Sequence, residues 1–432
     1  MEEELFTKNN RRFFSGLWKR LLIVLAVFGP ATITAMADND AGGVATYSLA
    51  GAKLGYPILF LLPIITLLLA ITQEMGMRLT IITRRGLADL IREKYGVRAA
   101  VFMFIALLIA NVGTLVTEIS AIGTTSQIFN IPSTPAIIAV VLVSFVFITR
   151  GNYKLTQNIM LIACLFFLTY IFSAVKARPD WALATGNLLY PHGVDFTRAG
   201  YMRDYLIIGM GVLGTTITPW GQFFISSFAF DKKIEKGKVA LSQLETYWGA
   251  FLTDFFSFFM IVATAAALFV PGIVLKEGVD AAQQAALAIQ PIAGELAGKL
   301  FALGILNAGF MGLVIVSLST AYAFAEFFGV SGSLDDSFKK SKTFYFLYMI
   351  QLVAATAFVL IANVSLFQVA VVTQIINAVA LPLVFYYLIK LTSDRSLMGE
   401  FANNGFQKWF AISCSVVIVI TSVATVASAF IN

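Results

Sequence analysis

Two of the apolar segments in this chain are broken in the middle, and the breaks lie five segments apart. About 20 apolar residues cross a bilayer as a helix. Eleven such segments follow one another here, centred near Asp38, Leu67, Ile109, Leu142, Phe166, Thr216, Phe259, Val314, Ala354, Asn377 and Ile418. The first is interrupted by Asp38-Asn39-Asp40-Ala41-Gly42-Gly43. The sixth is interrupted within Gly214-Thr215-Thr216-Ile217-Thr218-Pro219-Trp220-Gly221-Gln222. In hydrocarbon every backbone polar group must be satisfied by protein, so a broken helix is tolerated only where it is buried or lines a water-filled cavity. Pro219 has no N–H to donate, and Gly214 and Gly221 weaken the helix on either side of it.

Composition fixes the class. The 432 residues are 59% hydrophobic and 12% charged, against about 25% charged in a soluble domain, which predicts a polytopic, all-α membrane protein. No segment outside the apolar stretches is long enough to bury a core of its own, so a single transmembrane domain is expected over 21–432, behind a charged segment 1–20. That segment has neither the apolar region nor the small-residue cleavage site of a signal peptide, so the first helix is expected to be retained. The N-terminus and alternate loops carry 23 of the 30 Lys and Arg residues. The positive-inside bias then puts the N-terminus in the cytoplasm and, after an odd number of spans, the C-terminus outside. The basic residues are distributed as topology requires, so the net charge of +6 implies a lipid bilayer as partner and no nucleic acid. Cys164 and Cys414 lie far apart inside apolar segments, with no CxxC or Cys/His cluster, and predict neither a disulfide nor a thiolate metal site.

Interrupted spans at corresponding places are the sequence pointer to an inverted-repeat transporter with its site at the midplane. Repeat one is expected over about 21–176, repeat two over about 203–391, and an added eleventh helix over about 407–431. A faint echo, Ala31-Thr32-Ile33-Thr34-Ala35 against Thr215-Thr216-Ile217-Thr218-Pro219, agrees with that division. Carboxylates at a break, beside half-helix ends with partial negative charge, describe a cation site. The side chains on offer are Asp38, Asn39, Asp40, Thr215, Thr216, Thr218 and Gln222, with Glu118 on the third segment and Gln374 or Asn377 on the tenth. All are oxygen ligands, which suit Mg²⁺, Ca²⁺ and Mn²⁺ rather than Zn, Cu or Fe. The only His, His192, falls in the outer loop between segments five and six. Met36 and Met210 lie away from the breaks and read as packing residues, and Trp220, whose indole only donates, as cavity wall.

Asp40-Ala41-Gly42-Gly43-Val44-Ala45-Thr46, after Gly29-Pro30, resembles the Asp-Pro-Gly-Asn-Phe-Ala-Thr signature of the NRAMP divalent-metal transporters. Gly51-Ala52-Lys53-Leu54-Gly55-Tyr56, the run Arg85 to Tyr95 and the run Thr392 to Phe401 are similar to that family too. The resemblance covers nearly the whole chain and implies the LeuT-type 5+5 inverted-repeat fold. It also implies Asp40 as a metal ligand, a carbonyl contribution from Thr215, and Gln374, eight residues before Pro382, as the family's tenth-helix Gln. Departures are equally informative. The family's first-helix Asn falls on Gly43, and its Met-Pro-His falls on Thr218-Pro219-Trp220. Glu118 matches an acidic residue on the third helix, but the Asp three positions earlier falls on Leu115. The ninth helix has no basic residue in its interior. These departures resemble the NRAMP-related magnesium transporter branch, which implies Mg²⁺ and Mn²⁺ movement without coupled protons.

The expectation is therefore a transporter, not an enzyme, that imports divalent cations by alternating access. The metal set is Asp40, Asp38, Asn39, Gly43, Thr215, Thr218, Gln222, Glu118 and Gln374. The ion is cargo, no cofactor is needed, and the oligomeric state stays open, a monomer being sufficient. Mg²⁺ keeps several of its waters, and Gly43 and Thr218 in place of larger residues leave room for them. A proton-coupled Mn²⁺/Fe²⁺ transporter of the ordinary NRAMP type is the alternative. An amino-acid carrier would have to admit a carboxylate beside two Asp residues. An intramembrane aspartyl hydrolase leaves the paired breaks unexplained. There is no P-loop pattern to bind ATP. None is required, because an inside-negative potential supplies about 2.3 kcal/mol per charge per 100 mV, twice that for a divalent ion.

Overall fold

The computed structural model describes residues 29–198, 200–273, 294–362 and 366–430. The charged segment 1–20 and the beginning of the first expected helix lie outside the described residues. Those described fold into helices joined by short turns, with no strand among them.

Both expected breaks are present. The first segment is split into α1 (Pro30–Ala37) and α2 (Ala41–Leu54), separated by Asp38, Asn39 and Asp40. The sixth is split into α9 (Tyr201–Thr216) and α10 (Pro219–Asp231), separated by Ile217 and Thr218. The two breaks are built alike at their second halves. Asp40 is the N-cap of α2 and accepts from the Gly43 N–H at 2.6 Å, while Thr218 is the N-cap of α10 and accepts from the Gly221 N–H at 3.0 Å. Asp and Thr are favoured at this position because their side-chain oxygens satisfy an N–H that the helix leaves unpaired. Pro219 at the first helical position loses nothing by lacking a donor.

Among the described residues, nine further helical stretches are long and apolar enough to cross a membrane. They include α3 (Leu61–Thr83), α4 (Leu87–Ile128), α5 (Ser133–Arg150), α6 (Tyr153–Cys164) continued by α7 (Leu168–Lys176), and, after the short α8 (Trp181–Gly186), α11 (Val239–Thr264). They continue with α12 (Glu295–Phe328), α13 (Lys342–Ala362), α14 (Leu366–Ser393) and, past the short α15 (Arg395–Met398), α16 (Gly405–Phe430). The 42-residue α4 is kinked at Gly96, whose φ of 84° lies where only glycine is at ease. The piece before the kink therefore turns away from the membrane-length piece that carries Glu118.

The broken helices occupy the centre. Every described residue of α2 except Lys53 is buried, and α9 and α10 pack against α2, α3, α12 and α14. Surrounding helices such as α5 and α16 bury only one side; 17% of the most apolar stretch of each is covered. Burial of this kind is what lets the centre carry polar side chains that hydrocarbon would exclude.

Candidate metal site

The carboxylates converge on the first break. Asp38 and Asp40 are fully buried, as is Glu118 from α4. Asp38 accepts from Thr218 Oγ1 at 2.8 Å through one oxygen and from Gln73 Nε2 of α3 at 2.9 Å through the other. Asp40 caps Gly43 with Oδ1, and its Oδ2 has no hydrogen-bond partner among the described residues. Glu118 accepts from the N–H groups of Ala41 at 3.0 Å and Gly42 at 3.3 Å, so it sits on the positive N-terminal end of α2 where an anion is favoured. Among the described residues every donor to these three carboxylates is neutral: a hydroxyl, an amide and three backbone N–H groups. Three acidic side chains are thus gathered here, with no Lys or Arg in hydrogen-bond contact among the described residues.

The sixth-helix break lies against the same point. A Cβ placed on Gly43 would stand 2.8 Å from Thr215 Oγ1, 3.1 Å from the Asp38 carbonyl oxygen and 3.4 Å from Asp40 Oδ1. The lack of a side chain at Gly43 is what allows the two breaks to approach. On the neighbouring Gly42 a Cβ would stand 2.6 Å from Gln374 Nε2, which brings α14 to the same place. Thr215 Oγ1, Gln374 Nε2 and both amide atoms of Gln222 are buried without a partner among the described residues. A native interior leaves few polar atoms unpaired, so the orphaned Thr215 Oγ1 and Gln374 Nε2 beside the unpaired Asp40 Oδ2 mark a place built to receive something polar.

Asn39 is placed differently from the other expected ligands. Its Nδ2 donates to the Thr253 carbonyl at 2.8 Å, and its Oδ1 accepts from Ser257 Oγ at 2.9 Å, so both ends of the amide are engaged by α11. Capping of α2 falls to Asp40, which leaves Asp38 free to join Thr218 across the two breaks. Gln222 lies one turn into α10. Trp220 is fully buried with its indole N–H unpaired among the described residues. Met36 and Met210 are buried packing residues, the two cysteines are free, and His192 sits in a surface loop with its ring on the Tyr190 carbonyl. Among the described residues no group of three His, Cys, Asp or Glu is arranged as a metal cluster.

Four residues outside the expected set hold the first break and its half-helix in place: Gln73, Thr253, Ser257 and Glu245. Gln73 has a visible signal, being a polar residue in the middle of an apolar segment, where polar groups face the interior. Glu245 had none, because it lies near the start of a segment where charges are ordinary. Its Oε1 accepts from the N–H groups of Gly29 at 2.6 Å, Ala31 at 3.2 Å and Thr32 at 3.3 Å.

The family model described as "Natural resistance-associated macrophage protein-like" matches residues 31–428. The "Divalent metal cation transporter MntH" of Granulibacter bethesdensis is 23% identical, covering 96% of this chain and 90% of the relative. The protein of the same name from Ralstonia nicotianae is 26% identical over 90% of this chain and 86% of its own. The crystal structure of the Eremococcus coleocola manganese transporter in complex with an aromatic bis-isothiourea substituted compound superposes with a TM-score of 0.74 at 20% identity, covering 95% of this chain and 87% of that one. A Na⁺-coupled sialic acid symporter in a substrate-bound outward-open state gives 0.60 at 12% identity, covering 92% and 89%. These likenesses agree with the expected LeuT-type fold of two five-helix repeats and an added helix. By the family match over nearly its whole length, the chain belongs to the Nramp family.

Proposed function

We propose that this protein carries divalent metal cations across a membrane, with the ion held between the α1–α2 and α9–α10 breaks. One observation carries the reading: three buried carboxylates around one break, with only neutral donors and with orphan polar atoms beside them. An ionised carboxylate is expensive in hydrocarbon, and a divalent cation is the partner that removes that cost. The family and the printed names of its relatives, divalent metal cation and manganese transporters, support the same class of cargo.

More finely, we read Mg²⁺ as the preferred ion with Mn²⁺ also accepted, moved without coupled protons. The support is chemical. Asp40 Oδ2 and Thr215 Oγ1 supply hard oxygen directly. Asp38, Thr218, Gln222 and Gln374 offer further oxygens or hydrogen bonds to the ion's waters, and Glu118 sets the electrostatics from behind the α2 terminus. Asn39 fixes the break against α11. No sulfur or imidazole enters the set, and small Gly43 and Thr218 suit an ion that keeps part of its hydration. The ion is cargo, moved by alternating access of the half-helices against the surrounding bundle. Repeats over about 21–176 and 203–391, a cytoplasmic N-terminus, an outside C-terminus and residence in the cell membrane complete this reading. The manganese transporters among its relatives keep one alternative alive, proton-coupled Mn²⁺ or Fe²⁺ import.

Uptake of Mg²⁺ and of Mn²⁺ into proteoliposomes, with internal pH followed in the same vesicles, tests both levels. Uptake of both ions with a flat internal pH is expected, abolished by Asp40→Ala. Acidification that tracks metal entry overturns the uncoupled reading, and full uptake by the variant overturns the site.

A further inference from the structure

A further buried carboxylate, Asp254, follows Thr253 on α11 and lines a groove on the side of the bundle. The groove has a volume of about 820 Å³ and lies between α3 and α11, with Thr185, Leu188, Asn404 and Gln407 completing its lining. Its walls are apolar, and rings of Phe251, Phe255 and Phe259 follow one another along α11 with centroids 5.8 and 5.0 Å apart. Leu67, Phe251 and Phe255 are exposed, so the groove opens sideways, toward lipid in a membrane.

Asp254 lies in this groove with 5% of its surface accessible. Its Oδ2 meets Thr66 Oγ1 at 2.5 Å, and its Oδ1 has no partner among the described residues. The Thr66 hydroxyl also contacts the Leu62 carbonyl at 2.7 Å, and one hydroxyl proton cannot serve two acceptors fully. An ionised Asp254 is thus served at best by one shared proton, and no Lys, Arg or His lines the groove among the described residues. A bare divalent ion is a poor match, because a single carboxylate among phenyl rings cannot replace its water shell. An ammonium on an apolar body is a good one. The charge pairs with the Asp254 carboxylate, the aromatic faces attract cations, and the apolar part fills the groove.

We propose that the α3–α11 groove is a binding site for membrane-partitioned organic cations, amines on an aromatic or aliphatic body, anchored by Asp254. The lining of the groove shares no residue with the metal set, and its test does not depend on transport. The probe is 1-pyrenemethylamine, protonated at neutral pH, with neutral 1-pyrenemethanol as its match in shape. Binding to the full-length protein in lipid nanodiscs is read as energy transfer from tryptophan to pyrene, with empty nanodiscs as background. For the wild type, saturable binding is expected, tighter for the amine than for the alcohol by about 10-fold, the factor that ~1.4 kcal/mol represents. Asp254→Asn is expected to bring the two affinities within about 2-fold of one another. Thr66→Val keeps the carboxylate and removes its hydroxyl partner, and the preference for the amine is expected to persist or grow. Equal affinities in the wild type, absence of saturable amine binding, or a preference that survives in Asp254→Asn would overturn the proposal; the first result identifies a purely apolar groove over a neutral Asp254, and the last a cation preference that Asp254 does not supply.

Discussion

Replacing Glu245 should loosen α1 from the bundle. This half-helix is tied to α11 along its length. Glu245 Oε1 takes the N–H groups of Gly29, Ala31 and Thr32 at its start. Thr253 Oγ1 donates to the Ala35 carbonyl, and the Asn39 amide bonds to Thr253 and Ser257 at its end. Glu245 is 3% exposed, so water does little to replace it. An N-cap side chain contributes about 0.5–2 kcal/mol, and a partly buried anion at a helix N-terminus adds up to ~2 kcal/mol. Glu245→Ala should therefore cost the packed position of α1 about 2–4 kcal/mol. At ~1.4 kcal/mol per factor of ten, its open population rises roughly 30- to 700-fold. Glu245→Gln keeps an acceptor and loses the charge, for a rise of about 10-fold on the same scale.

The assay is modification of a cysteine at Met36, which is 1% exposed on α1, in a background with Cys164 and Cys414 replaced by serine. A membrane-impermeant maleimide is added on the side of the 232–238 loop. Labelling rates should rank Ala above Gln above wild type, by the factors above. Rates within twofold across the three, in variants whose thermal unfolding shows them folded, would refute the view that this carboxylate holds α1 in place.

Further outcomes follow from the same geometry. Asp40→Asn keeps the capping oxygen for Gly43, since Asn and Asp cap equally well, and removes an uncompensated buried charge. The variant should melt no lower than the wild type while losing metal uptake by two orders of magnitude or more, a separation that paired melting and flux assays would reveal. Gly43→Asn puts a side chain where Thr215 Oγ1 stands 2.8 Å from the Cβ position, so initial-rate uptake of Mg²⁺ should fall by a larger factor than that of Mn²⁺, which sheds water more readily. At the basic end, the Lys94 ammonium beside Asp394 holds that carboxyl down at about 2, helped by Ser396. The folded value is the depressed one. The pair's stabilisation is therefore present above the unfolded value of about 3.9 and lost as pH falls through about 2. Both groups are about one-third exposed, so Lys94→Ala should cost less than ~1 kcal/mol in melts near pH 7, and less again in high salt.

The sequence made the helix count and the two breaks legible because both are one-dimensional signals: apolar runs of bilayer length, and Pro, Gly and Asp where a helix cannot continue. Asp40, Thr215 and Gly43 could be read for the same reason, each lying at a break. Which carboxylate caps α2 was not legible, since Asp38 and Asp40 are two residues apart and only the path of the chain decides. Asn39 reads as an oxygen ligand by chemistry alone. Its engagement by Thr253 and Ser257 depends on α11, more than 200 residues away. Glu245 is hidden for the same reason, because a charge near a segment end carries no mark of the helix it will cap.

The central claim is that a divalent ion sits between the two breaks, bound by hard oxygens. The most direct measurement is anomalous scattering from Mn²⁺ in crystals of the protein grown with that ion, repeated with excess Mg²⁺ as competitor. The account predicts one strong peak within bonding distance of Asp40 Oδ2 and on the Thr215 side of it, weakened by Mg²⁺. A peak remote from Asp40, or one that excess Mg²⁺ leaves unchanged, would contradict it.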